Sequence, residues 1–170
     1  MRYKALILGI ALVTAAVASP RAQGGDQAFV TKLAGVGMAE VELGTFAKDK
    51  ASSREVKAFA QRMIDDHTKA GDELKAVAQR KHYTLPSAIP ADAVALKDKL
   101  SKLSGAAFDR AYIDAMVDGH RAALAEVKTE AQSGSDPDVK AWATKASSTV
   151  QAHLTHAQNQ QRELSKAATN

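Results

Sequence analysis

From residue 27 onward the hydrophobic positions fall into four long stripes spaced alternately by three and four residues, the repeat of an amphipathic helix. The first stripe reads Phe29, Leu33, Val36, Glu40, Leu43, Ala47 and predicts a helix from Gln27 to Ala51, with Asp26 as its N-cap. The second, Val56, Ala60, Met63, His67, Ala70, Leu74, Val77, predicts a helix from Ser53 to Lys81, opened by a Ser52/Glu55 capping box. A two-residue break between them implies an antiparallel hairpin. The stripe Ile113, Val117, His120, Leu124, Val127, Ala131, flanked by Phe108, Tyr112 and Met116, predicts a helix from Ala106 to Gln132 capped by Ser104. The last, Val139, Ala143, Ala146, Val150, His153, Ala157, Gln160, Leu164, predicts a helix from Pro137 to Lys166 anchored by Trp142, with Asp136 capping and Pro137 at the first helical position.

Between the second and third stripes lies an irregular run, His82 to Pro90, with two prolines, followed by a short helix from Asp92 to Leu103. This connection is long enough to cross a bundle from end to end. The expected fold is therefore all-α: a single four-helix bundle over residues 23–170, with a long crossover containing a short helix between its second and third long helices.

Each stripe carries one polar residue of a ligand type where a hydrophobe belongs, near the middle of its helix: Glu40, His67, His120 and His153. In a bundle of long antiparallel helices these four can meet at one height on the axis. Three imidazoles and a carboxylate suit one divalent transition metal, Zn, Fe, Cu or Mn. Asp66 and His156 are candidate supporting groups. The competing expectation is a metal-free hydrogen-bonded His/Glu network, because such groups are costly to bury without partners. Gly37 and Gly44, one turn either side of Glu40, and Gly119 beside His120 suggest room for a neighbouring helix or for converging side chains.

Composition changes the picture in three ways. Arg2 and Lys4 precede an apolar run from Ala5 to Ala18, an export signal with cleavage after Ala18 or Ala22. No later apolar run is long enough to span a membrane. Removing residues 1–22 takes away Arg2, Lys4 and Arg21, so 23 basic against 19 acidic residues becomes 20 against 19. The basic pI near 9.3 is thus partly a property of the signal and argues for no nucleic-acid partner. The absence of cysteine excludes disulfides, thiolate metal sites and a cysteine nucleophile.

The Glu-x-x-His pairs of a carboxylate-bridged di-iron bundle are missing, since Ile64 stands three before His67 and Val150 three before His153. There is no H-E-x-x-H helix, no G-x-S-x-G elbow and no phosphate-cradling glycine loop. No catalytic residue is assigned, and the reading leans away from an enzyme.

The segments Gly37-Met-Ala-Glu-Val-Glu-Leu-Gly44, Val56 to His67 (ending Arg-Met-Ile-Asp-Asp-His), Leu103-Ser-Gly-Ala-Ala-Phe-Asp-Arg-Ala-Tyr112 and Val150-Gln-Ala-His153 resemble a family of exported bacterial proteins, domain of unknown function forty-one forty-two. The resemblance covers nearly the whole chain after the signal and implies a ferritin-like bundle. It singles out Glu40 and Glu42 in the first helix, with His67, His120 and His153, and so adds Glu42 as a supporting candidate. Two positions depart from the family pattern: Gly119 where Asp is usual, and Ser148 where a proline is common. The function expected is that of an exported, periplasmic bundle binding one metal ion for metal handling or envelope stress protection. The alternative is a metal-free structural or interaction module of the cell envelope.

Overall fold

The computed structural model describes the backbone of residues 20–169 and the side chains of residues 24–167. The expected export signal lies almost wholly outside the described residues. Five helices follow: α1 (Pro20–Lys50), α2 (Arg54–Lys81), α3 (Ala91–Ser101), α4 (Gly105–Ser133) and α5 (Pro137–Thr169). There is no strand among the described residues, and no described helix is long and apolar enough to cross a membrane. The chain is the all-α bundle expected from the stripes, with the ferritin-like architecture that the family resemblance implies.

Three contacts at the helix ends fix the topology. Asp109, near the start of α4, accepts from the backbone N–H groups of Ser52 (2.9 Å) and Ser53 (2.8 Å) and from the Ser52 hydroxyl. Gln160, late in α5, donates to Glu55 O at the start of α2. Asp26, near the start of α1, accepts from Ser135 N (2.9 Å) and Asp136 N (3.0 Å) in the α4–α5 turn. α1 therefore runs antiparallel to α2 and α4, and α5 antiparallel to α4 and α2. The crossover returns along α1, with Pro90 against Gly35, Lys97 paired to Glu42 and Lys50 donating to Ser101 O.

These contacts correct three expected caps. α1 starts at Pro20, so Asp26 is not its N-cap; this carboxylate is 3% exposed and fastens the far turn instead. The α2 cap is Ser53, whose hydroxyl accepts from Glu55 N and Val56 N, because Ser52 is engaged by Asp109. Ser104 stands at the N-cap of α4 but makes no side-chain capping bond. Asp136 does cap α5, accepting from Asp138 N and Val139 N. His82 is exposed, and it closes α2 in the left-handed conformation, φ 57°.

The core follows the stripes closely, with additions at Val30, Phe59 and Leu154. Phe108 stacks on Tyr112 at 6.2 Å, and Phe59 meets Tyr112 edge-on at 6.4 Å. These rings fill the end of the bundle near the α1–α2 turn. Gly44 has the expected packing reason: a Cβ there would come within 3.1 Å of Ala60 O and Ile64 Cγ1 on α2. At Gly37 the expectation fails, since a Cβ would meet nothing within 4 Å.

Candidate metal centre

Near the middle of α2, α4 and α5 the apolar stripes bring His67, His120 and His153 face to face. Their ring centroids form a nearly equilateral triangle, with sides of 5.6, 5.4 and 5.3 Å. One nitrogen from each ring can be chosen so that all three lie within 4.8 Å of one another. His120 and His153 are 2% and 0% exposed; His67 is partly buried.

The outer nitrogens of two rings are held. His120 Nδ1 is 2.9 Å from Met116 O, the carbonyl one turn back on α4, and can engage it only by donating. His153 Nε2 is 2.8 Å from Asp66 Oδ2, and Arg62 Nε, 3.3 Å away, fixes the same carboxylate from one turn back. With a proton on each outer nitrogen, the remaining nitrogens carry lone pairs. His120 Nε2, His153 Nδ1 and His67 Nε2 are all buried without a hydrogen-bond partner. No hydrogen bond joins any two of the three rings among the described residues. The three rings therefore do not satisfy one another by hydrogen bonds, and two of them are held by partners outside the trio.

The electrostatics favour neutral imidazoles at His67 and His153. Burial, followed by the proximity of His120 and His153, pushes His67 down to about 3. Burial likewise lowers His153, against the opposing pull of Asp66. Burial works against ionisation of Asp66, yet the bonds from His153 and Arg62 hold it below the usual carboxylate range. Neutral imidazole is the form that ligates a metal.

The other expected site residues take different places. Glu40 is 7% exposed and adjacent, its Oε1 4.0 Å from His120 Nδ1, but it is not among the close-set nitrogens and approaches the outer side of that ring. Its Oε1 lies 3.7 Å from where a Cβ on Gly119 would stand. Burial raises its carboxyl above the ordinary value, and Oε2 has no partner. Glu42 turns away to the crossover, where it pairs with Lys97 at 2.7 Å. His156 packs edge-on against Phe59 at 5.1 Å and lies 3.3 Å from the Gln160 amide, apart from the trio. Asp66 does stand beside the cluster, as a support for His153. The Met116 carbonyl carried no signal in the sequence, because a backbone acceptor is common to every residue.

The cluster adjoins a cavity of about 140 Å³ that opens between the helices, with Glu40, His67 and His120 among its lining residues.

No curated protein matches the sequence. Among solved structures, the chain is similar to a presumed secreted DUF305 protein from Streptomyces coelicolor, at 15% identity and a TM-score of 0.72, covering 85% of this chain and 96% of that one. It is similar to CopM in its Cu(II)-bound form, at 18% identity and a TM-score of 0.70, covering 81% of this chain and 96% of that one. A two-domain protein from Anabaena variabilis with DJ-1/ThiJ/PfpI-like and ferritin-like domains matches at 16% identity and a TM-score of 0.64, covering 85% of this chain and 38% of that one. At these identities the likeness shows the fold alone. The family model described as Domain of unknown function (DUF4142) matches residues 11–159, and the chain belongs to that family.

Proposed function

We propose that this protein is exported and binds one transition-metal ion through His67, His120 and His153, with Asp66 orienting His153 and Glu40 offsetting charge from beside His120, and that its role is metal handling in the cell envelope. The observation that carries the proposal is the set of three buried, unpartnered ring nitrogens, two of them with their tautomers fixed from outside. Leaving such atoms unpaired is costly, and a metal ion would satisfy all three at once. Imidazole–metal bonds are about 2.0–2.1 Å, so a bound ion would draw the nitrogens inward from separations of up to 4.8 Å.

Copper is the favoured ion within the set Zn, Fe, Cu and Mn. Imidazole suits copper, the site offers no thiolate, and CopM, of like fold, is described in Cu(II)-bound and Ag-bound forms. Export is supported by the basic and apolar N-terminal run and by the DUF305 neighbour described as presumed secreted.

The test is a metal titration of protein purified without a histidine tag, read by elemental analysis and by the melting temperature. The expected result is one ion per chain, with the transition raised by copper and lowered again by chelator. Sub-stoichiometric metal, together with a melting temperature indifferent to chelator and to each of the four ions, refutes the proposal.

A further inference from the structure

The three histidines leave the buried carboxyl of Glu40, beside His120, unexplained. Glu40 Oε2 has no hydrogen-bond partner in a residue that is 7% exposed, and Glu40 lines the cavity of about 140 Å³ next to the cluster. The rest of that cavity is largely apolar: Leu33 and Val36 from α1, Leu74 from α2, Val127 from α4, and Trp142 and Val150 from α5. The indole of Trp142 is held in place, donating from Nε1 to Ala70 O at 3.1 Å and meeting Phe29 edge-on at 6.0 Å. Exposed Lys145, paired with Glu73 at 2.6 Å, and exposed Lys69 border the same cavity.

Size and chemistry narrow the occupant. A dry engineered cavity of about 150 Å³ holds one benzene ring, so this volume suits a single aromatic ring. An indole on the wall favours an aromatic body, by offset or edge-on contact. A hydroxyl both donates and accepts, so it can satisfy the Glu40 carboxyl whether it is ionised or protonated. A purely apolar ring would leave that carboxyl unpaired and a charged head would have to be desolvated, both at a cost.

We propose that this cavity is a binding site for a single-ring aromatic molecule bearing a hydroxyl group, with the ring against Trp142 and the aliphatic wall and the hydroxyl on the Glu40 carboxyl. Glu40 is not one of the three close-set residues, but His67 and His120 line the same cavity, so the site is tested in metal-free protein.

Trp142 is the only tryptophan in the chain, so its indole N–H gives a single, assignable NMR signal from the cavity wall. Phenol and toluene, of similar size, are titrated separately into chelator-treated, full-length mature protein. The expected result is a saturable shift of the Trp142 signal with phenol, and binding of toluene about tenfold weaker, the equivalent of one buried hydrogen bond. Glu40→Met brings phenol down to the toluene level without changing toluene binding, and Ala123→Phe, which fills the cavity, abolishes both. Helical circular dichroism confirms that each variant is folded; if either is not, the phenol-to-toluene ratio in the unaltered protein decides alone. An absent or unsaturable shift with phenol, equal affinities for the two probes, or full phenol preference in folded Glu40→Met overturns the proposal. Loss of metal binding with these results intact refutes only the metal reading.

Discussion

Replacing His67 with leucine separates a metal centre from a hydrogen-bonded network, because the two assign opposite signs to the same change in metal-free protein. His67 makes no hydrogen bond in the described structure, and its Nε2 is buried without a partner. A buried unsatisfied polar atom costs about 1–3 kcal/mol. Burying a leucine side chain contributes about 1.5–3 kcal/mol when complete, and less here because part of the His67 ring faces the cavity. After allowance for imperfect fit, metal-free His67→Leu should be more stable than the unaltered protein by about 1–2 kcal/mol at pH 7.5.

The pH dependence adds a second readout. The folded state holds His67 at about 3, well below the ordinary imidazole value of 6.5, mainly through burial. Below pH 6.5 the unfolded chain takes up a proton that the folded chain refuses, so the contribution of His67 is complete above 6.5 and is lost as pH falls toward 3. The slope is about 1.4 kcal/mol per pH unit, so the advantage of the leucine variant should widen by about 2 kcal/mol between pH 6.5 and pH 5. Urea unfolding of chelator-treated protein at pH 7.5 and pH 5 measures both quantities. Destabilisation of His67→Leu by more than about 1 kcal/mol at pH 7.5, with an unchanged pH slope, would show that His67 has a partner in a network and refute the reasoning. With metal present the sign reverses, because the variant loses the linkage stabilisation, about 2.7 kcal/mol at a hundredfold excess over Kd.

Asp66→Ala should leave the helices intact and weaken metal binding by about 10–100-fold, since it frees the His153 ring to turn and change tautomer; a chelator-competition assay checks this, and a change under twofold contradicts the role given to Asp66. Asp109→Ala removes the acceptor for two turn N–H groups and the Ser52 hydroxyl, and should cost about 3 kcal/mol in urea unfolding with little effect on metal affinity.

The stripes made the helices and their inward faces legible, and the intruding residues made the cluster legible. His67, His120 and His153 each occupy a place where the three-and-four spacing demands burial, and the structure buries one unpartnered ring nitrogen of each. Glu40 shows the limit of that inference. It is equally well placed in its stripe and equally buried, yet its carboxylate approaches the outer side of His120. A stripe fixes the face of a helix to within a residue or so, whereas a ligand set depends on side-chain torsions and helix rotation at the scale of an ångström. Glu42, two residues on, is claimed by a lysine of the crossover, a pairing across 55 positions that no local pattern contains.

The misplaced caps have the same origin. Ser52 and Asp26 carry good capping chemistry, but Asp109 and the α4–α5 turn compete for them from far along the chain. By itself, then, the sequence determined what depends on neighbours within a turn or two: which segments are helical, the buried face of each helix, the absence of di-iron carboxylates, and three histidines bound for the core. Only the tertiary structure decided which nitrogens are held and which are left open, which carboxylate supports a ring and which stands apart, and where the cavity lies. Those outcomes depend on partners brought together from distant positions, whose hydrogen bonds and packing local propensity does not encode.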